Sequence, residues 1–526
     1  MPYTASGLAR QARCLRLGDI VFLPQPAALD THRKLGAEIR RTGLLMEVLS
    51  PEMQAVPDVM VLAALEPVYE SHRLSHRREP SWARKLPLPA LSHLRWAYAE
   101  GEGNDPLAIN LRVPFTGLGY LVSDRGFTRD VVEAFGLFRL HNIRQLGYLH
   151  DPATGPEEDL RVGFNFSHTR YEHVLNVSAI ATLIAANIRL PREEVRHLRA
   201  AALTHDTLTP AGGDTVKLVD REAFDEDLHY PEVFERHRQG WEVLRRKYGL
   251  RAAKLTAIVQ NQGPLGRILD MADKLAYVAR DADMYLARYH PAPGYIPPRG
   301  FGAAMKLTRS DPLICGWWDS VRLVDGNLAV MDTERLVKFL KLRAYLFRDL
   351  YYNPSARFME HAIVSVMVRH MYRKGELSRD DLLRMTDLDL GNLLDRTLGV
   401  DMFNFPLWPS DRARVETFRT RTEAERRERD VLAGDPARLS FIEEFAGATS
   451  SGAKLPVLWN GRVMPLYEAH QQAAEDIADI LAVSEPVRLY YFSATELEES
   501  KYFRTALEHL RTGRLLEAAQ AAANGK

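Results

Sequence analysis

Cysteine is nearly absent from this chain. Cys14 and Cys315 are the only two in 526 residues, too few for a disulfide scaffold and in keeping with a reducing, cytoplasmic setting. Net charge is absent as well: Lys and Arg total 69 and Asp and Glu total 69. Bulk electrostatics therefore give no case for a nucleic-acid partner, although they do not forbid one. No apolar run reaches the roughly 18 residues of a spanning helix, so no membrane partner is expected. Arg10, Arg13 and Arg16 have no apolar stretch behind them and do not read as a secretory signal. There is no internal repeat and no long low-complexity segment. A chain of 526 residues is long enough for two or three packed regions.

What the chain does have is concentrated between His168 and Asp206, HTRYEHVLNVSAIATLIAANIRLPREEVRHLRAAALTHD. After His173 come Val177, Ile180 and Ile184, spaced as one face of a helix. A second helix is expected from Pro191, a good first-turn residue, with Val195, Leu198, Ala202 and then His205 on its inward face. Both imidazoles thus point where water is scarce. Asp206 follows directly and is stable in a core only if paired or bound to a metal. Two imidazoles and a carboxylate form a borderline-hard ligand set suited to one divalent ion, whether Mn, Mg, Fe or Zn.

A fourth ligand is expected from DMADKLAYVARDAD. Ile268, Ala272, Leu275 and Ala279 form its apolar stripe, while Asp270, Asp273, Tyr277 and Asp281 share another face beside Lys274. Asp273 is the candidate ligand. The alternative is a solvated face with charge pairs one turn apart.

These pieces belong to a longer series: FRLHNIRQLG (Phe138 to Gly147), SHTRYEH (Ser167 to His173), His205-Asp206, RHRQG (Arg236 to Gly240), ADKLAYVARD (Ala272 to Asp281) and RAYLFRDLYYNPSARFMEHAI (Arg343 to Ile363). In that order the series resembles the HD-domain superfamily of metal-dependent phosphohydrolases, and most of all its deoxynucleoside triphosphate triphosphohydrolase branch. The resemblance runs from about Leu111 to Asp389. It implies a mostly α fold, in which an HD-domain helical core carries a small N-terminal strand pair and a small C-terminal α+β lobe. The expected division is 1–108 as an N-terminal extension of unassigned role, 109–395 as the HD core, and 396–526 as a C-terminal helical and α+β lobe.

The resemblance also implies site roles. His173, His205, Asp206 and Asp273 hold the metal. Gln145 and Leu146 meet the sugar and base. Arg170, Lys274 and Arg343 meet phosphate, and Tyr277, Asp281 and Tyr351 lie near the sugar. The loop HDTLTPAGGD departs from the branch's HDxGHxPFSH pattern, with Thr209 where a histidine is expected. Threonine cannot exchange a proton near neutral pH as imidazole does. Proton transfer is then expected from Asp214 or His237, with Thr209 hydrogen bonding; His229 is a further imidazole nearby. The implied reaction releases a deoxynucleoside and inorganic triphosphate. A nucleotide effector and a homo-oligomer go with the branch. Two other classes stay open: a catalytically reduced HD protein that binds or senses nucleotides, and an HD phosphodiesterase or nuclease acting on single strands.

Beyond the core, DRARVETFRTRTEAERRERD (Asp411 to Asp430) is expected to be one charged helix. KLPVLWNGRVMPL and EPVRLYYFSA are expected to flank the helix YEAHQQAAEDIADILAV as a strand–helix–strand unit.

Overall fold

The hub of the fold is a helix that is apolar on more than one side. In the computed structural model this helix, α2 (Arg170–Asn187), buries Val174, Val177, Ala179, Ile180, Ala181, Ile184 and Ala185 to 3% exposure or less. The spacing in the sequence points to a single inward face. Small alanines on the remaining faces let neighbours approach closely, and α2 is sandwiched between α3 (Arg192–Thr204) and α6 (Gly263–Leu286). The structure describes residues 125–147, 168–286, 302–311, 314–353, 366–398, 414–435, 438–444, 454–481 and 487–492, together with Arg357 and shorter pieces between 15 and 122.

Around this hub pack α1 (Arg125–Ala134), α4 (Arg238–Tyr248), α5 (Ala252–Val259) and α7 (Thr333–Leu346). The glycine of RHRQG has a packing reason. A Cβ on Gly240 would come 2.3 Å from the Ala134 carbonyl oxygen, so only glycine lets α4 lie this close to α1. One apolar cluster runs from Phe127 to Tyr490. A second, including Ile39, Leu65, Tyr69 and Leu86, gives the N-terminal extension its own small core.

The strands are short. β1 (Leu15–Leu17) pairs with β2 (Ile20–Phe22), and β3 (Leu107–Val113) pairs antiparallel with β4 (Leu118–Val122), the strand pair expected ahead of the first core helix. β5 (Val321–Val324) and β6 (Asn327–Val330) form a hairpin closed by Asp325-Gly326, and β9 (Pro456–Trp459) and β10 (Arg462–Pro465) a hairpin closed by Asn460-Gly461. All four turn residues have positive φ, the demand of a two-residue turn that matches strand twist. The two hairpins join through a parallel contact, Val330 to Val457, in the order β10-β9-β6-β5. Hydrogen bonding therefore crosses the 395/396 boundary expected from sequence.

Two C-terminal expectations need correction. Asp411 to Asp430 is not one helix: β7 (Arg414–Phe418) precedes α8 (Arg421–Gly434). Thr420 and Glu423 form a reciprocal cap that starts the helix there, and the segment before it is claimed by a sheet with β8 (Leu439–Glu444) and β11 (Val487–Phe492), in the order β7-β11-β8. The strand–helix–strand unit is likewise divided. The strands on either side of α9 (Gln471–Leu481) lie in different sheets. The molecule is mostly helical with small sheets, and no helix among the described residues is long and apolar enough to cross a membrane.

Candidate metal centre

Three helices deliver the central group. His173 lies in the first turn of α2, His205 caps the C-terminus of α3 with Asp206 next to it, and Asp273 lies midway along α6. One ligand atom each of His173, His205 and Asp273 lies within 4.8 Å of the others. His173 Nε2 is 3.0 Å from Asp273 Oδ1, and His205 Nε2 is 3.9 Å from the same oxygen. Asp206 lies beside the group, its Oδ1 3.6 Å from His205 Nε2 and its Oδ2 3.8 Å from His173 Nε2. Ligands about 2.0–2.2 Å from one ion would have this mutual spacing.

His205 supplies the sharper test of fit. Its Nδ1 lies 2.9 Å from the Ala202 carbonyl, which can only accept, so Nδ1 carries a proton and Nε2 is the nitrogen turned toward the carboxylates. That Nε2 is buried and makes no hydrogen bond. Burial disfavours the charged ring, but Asp206 and Asp273 raise the His205 pKa above the usual imidazole value. Without an ion, Nε2 is therefore favoured to hold a proton toward the two carboxylates, and a divalent cation would take that proton's place.

A row of alternating charges leads away from the group. Arg170, 5% exposed, donates from Nη1 to Asp206 Oδ2 at 3.0 Å and pairs through Nη2 with Asp214 Oδ2 at 2.8 Å. Lys217 lies 3.0 Å from Asp214 and 3.0 Å from Glu226, whose other oxygen accepts from the Thr209 hydroxyl. Burial pushes Asp206 up, but Arg170, His205 and His173 together hold it well below the usual carboxylate range. Asp214 behaves likewise, held at about 2 against burial by Arg170 and Lys217. Glu226 differs: burial, with Asp206 adding to it, raises it beyond what Lys217, Arg170 and the Thr209 hydrogen bond relieve. Among the described residues, the lysine and arginine side chains that pair with Asp206, Asp273, Asp214 and Glu226 are Arg170 and Lys217. The carboxylates outnumber these two cations, which suits a further positive charge among them, whether a proton on His205 or a metal ion.

A second wall is buried and polar. His168 Nε2 stands 3.2 Å from Asp281 Oδ1, both fully enclosed. The Tyr351 hydroxyl donates to the other oxygen of Asp281, and Tyr277 accepts from Arg343 Nε while its ring lies 6.5 Å from that of Tyr351. Tyr351 reaches Asp281 because α7 widens into a π turn at Phe347–Tyr351, which displaces the side chains that follow it. Arg343 also lies over the Phe347 ring at 4.4 Å. Gln145 is buried nearby, its backbone N–H donating to the His168 carbonyl and its side-chain oxygen without a partner, while Leu146 packs on the core. Burial drives Asp281 up to about 7, beyond what Tyr351, Arg170 and Arg280 offset, and burial with Arg280, His173 and Arg170 drives His168 well down. Both are therefore neutral near pH 6.

A pH effect follows. Asp281 takes up its proton near pH 7 when folded and near 3.8 when its side chain is free in water. Its contribution is fully present below about pH 4 and is lost as pH rises through 7, at up to about 1.4 kcal/mol per pH unit. Asp281→Asn, a neutral mimic of the acid, is expected to match the native chain at pH 4 and to be more stable than it at pH 8. Urea midpoints at both values check this; equal midpoint differences at the two would contradict it.

Several expected residues are placed elsewhere. Lys274 pairs with Asp270 on its own helix instead of turning to the metal ligands. His237 packs edge-on against Phe135, 5.8 Å between centroids, and Arg236 and Arg139 are the charges that, after burial, hold it low. Among the described contacts it meets none of His205, Asp206 or Asp214. Both ring nitrogens of His229 are taken, by Glu232 and the Glu222 carbonyl, so that imidazole is not spare. Lys217, Glu226 and His168 were not expected from the sequence. His168 opens the SHTRYEH motif and could have been marked by it; Lys217 and Glu226 carry no local signal.

Residues 170–278 match the HD domain family, a span that contains all four candidate ligands. The match supports the HD superfamily and, with it, a metal-dependent phosphohydrolase, and it leaves the substrate open. A solved structure, that of a hypothetical protein from Aquifex aeolicus, aligns with a TM-score of 0.49 at 15% identity, over 77% of this chain and 100% of that one. No curated protein matches.

Proposed function

We propose that the chain hydrolyses deoxynucleoside triphosphates to a deoxynucleoside and inorganic triphosphate at the His173, His205, Asp206 and Asp273 centre. The observation that carries the reading is the convergence of one ligand atom each from His173, His205 and Asp273 within 4.8 Å, beside Asp206 and a buried polar wall. A divalent ion of the Mn, Mg, Fe or Zn kind held there supplies Lewis acidity and lowers the pKa of bound water. Arg170 clamps Asp206 and Asp214, and so keeps the ligand carboxylate aimed at the two imidazoles. Arg343, held by Tyr277 and Phe347, is a cation available to phosphate oxygens. Asp281, protonated near neutrality, can donate to or accept from a sugar hydroxyl, with Tyr351, Gln145 and Leu146 shaping the space around it.

Glu226 is the group best suited to carry a proton in this arrangement. Its raised pKa and its hydrogen bond from Thr209 do what the missing loop histidine would otherwise do. A cavity of about 340 Å³ lined by Lys217, Arg221 and Glu226 gives that carboxyl a route to water. Asp214 is less suited, because two cations keep it ionised.

One observation favours a second reading. Thr209 is engaged with Glu226 and His237 lies away from the ligands, so the loop offers no imidazole and a protein that binds nucleotides without turning them over fits the same centre. Incubation of the metal-loaded protein with each dNTP separates the two. Release of inorganic triphosphate supports hydrolysis, and Glu226→Gln is then expected to slow it by roughly 10²–10⁴-fold. Saturable binding without triphosphate supports the binder, and cleavage of single-stranded oligonucleotides would displace both.

A further inference from the structure

A second concavity lies beside a neighbouring stripe of α6. Arg267, Asp270 and Lys274 follow at steps of three and four and form a line distinct from Asp273, Tyr277 and Asp281. Between this line and the β9–β10 hairpin is a cavity of about 650 Å³, within the range of small-molecule sites. Apart from Lys274 it shares no lining residue with the metal centre or its two walls.

The lining has a definite chemistry. Lys274 is enclosed and tied to Asp270, which cancels both charges. Arg267 and Lys454 are exposed and, among the described residues, have no ion-pair partner. Two positive charges therefore remain on the cavity. Asn261 and Asn327 line it as well, the Asn327 amide already donating to the Asp325 carbonyl. Leu455, Val463 and Met464 give it an apolar side, with Leu455 buried and the other two half-buried. Surface arginines and lysines are usually just solvated, and taken singly these would be too. Here they come from distant parts of the chain, a core helix and a C-terminal strand, and meet over one apolar surface.

We propose that this cavity is a second ligand site, which takes a nucleoside monophosphate or a phosphate monoester of that size and shape. A phosphate monoester carries about −1.5 to −2 at pH 7 and matches the two uncommitted cations. Arg267 offers a planar fork to its oxygens and Lys454 a point charge. The flat base lies on Leu455, Val463 and Met464, and the Asn261 amide, both donor and acceptor, and the Asn327 side-chain carbonyl oxygen meet its polar edge. The site stands independently of the dNTP reading, since neither Arg267 nor Lys454 belongs to the metal centre.

Calorimetric titration of the full-length, metal-loaded protein with AMP as the probe tests it, with adenosine as the phosphate-free control. Saturable binding of AMP, no binding of adenosine, and a loss of at least about tenfold in affinity in both Arg267→Ala and Lys454→Ala would support the site, given the strength of charge-assisted contacts. Both side chains are exposed, so these variants are expected to fold and to keep the native metal content; circular dichroism and elemental analysis confirm it. Retention of AMP binding in His205→Ala would separate this cavity from the metal centre. The proposal is overturned if wild type does not bind AMP, if adenosine binds as well as AMP, or if the Arg267→Ala/Lys454→Ala double variant binds AMP as wild type does. It is equally overturned if AMP binding disappears in a folded His205→Ala protein.

Discussion

Replacing His205 with alanine is expected to empty the metal centre and to bring phosphohydrolase turnover to background. The imidazole is positioned for one task. Its Nδ1 is spent on the Ala202 carbonyl, and its Nε2 has no partner except whatever stands between Asp206 and Asp273. Loss of a group that merely orients a ligand costs about 10–100-fold in metal affinity or activity, so a larger loss marks His205 as a ligand. Elemental analysis of protein purified without chelator is the direct measurement, with one equivalent of divalent metal expected in wild type and none in the variant. His229→Ala is the control, since that ring is held by Glu232 and the Glu222 carbonyl and its loss should leave metal content unchanged. Equal metal in wild type and His205→Ala would remove the basis for the whole centre.

The second large effect is expected at Arg170. Its guanidinium is buried and joins Asp206, itself 3% exposed, to the half-exposed Asp214. Arg170→Met keeps much of the packing volume and deletes the charge, which leaves Asp206 in the interior with less compensation. Breaking a buried pair in this way costs about 3–5 kcal/mol. Chemical denaturation of metal-free protein should show a loss of this size. Added divalent metal is expected to recover part of it, because the ion supplies positive charge to the same carboxylate. Arg170→Lys should fall between, since a lysine restores the charge but not the two-pronged geometry that spans both carboxylates. An Arg170→Met protein as stable as wild type without metal would show that Asp206 does not depend on this cation.

The candidate ligands were legible in the string because they rest on local regularities and on the resemblance. Helical spacing placed His173 and His205 on inward faces, and the adjacent Asp206 was a carboxylate that no apolar core would tolerate alone. Asp273 was less legible from its own helix, where a solvated face of charge pairs read equally well, and it was singled out by the resemblance of ADKLAYVARD. Turn residues also spoke locally: Asp325-Gly326 and Asn460-Gly461 mark the two hairpins. Less was legible wherever a side chain had more than one choice of partner. Lys274 could have met either phosphate or Asp270, and Asp270 is one turn away on its own helix. The segment around Val415 could have continued a charged helix, but pairing with β11 made it a strand. Propensity is weak enough for such tertiary contacts to override it.

By itself, then, the sequence determined the helical core, the strand pair ahead of it and the side chains, His173, His205, Asp206 and Asp273, that come together as the candidate centre. These rest on period and on residue chemistry, both written within a few neighbouring positions. Only the tertiary structure decided that Lys217 and Glu226 extend the Arg170 row, that His168 shares its burial with Asp281, and that Arg267 and Lys454 meet over one cavity. Charges act over a few ångströms of space and without regard to chain order, so which of them become partners is settled only once the helices and hairpins have packed.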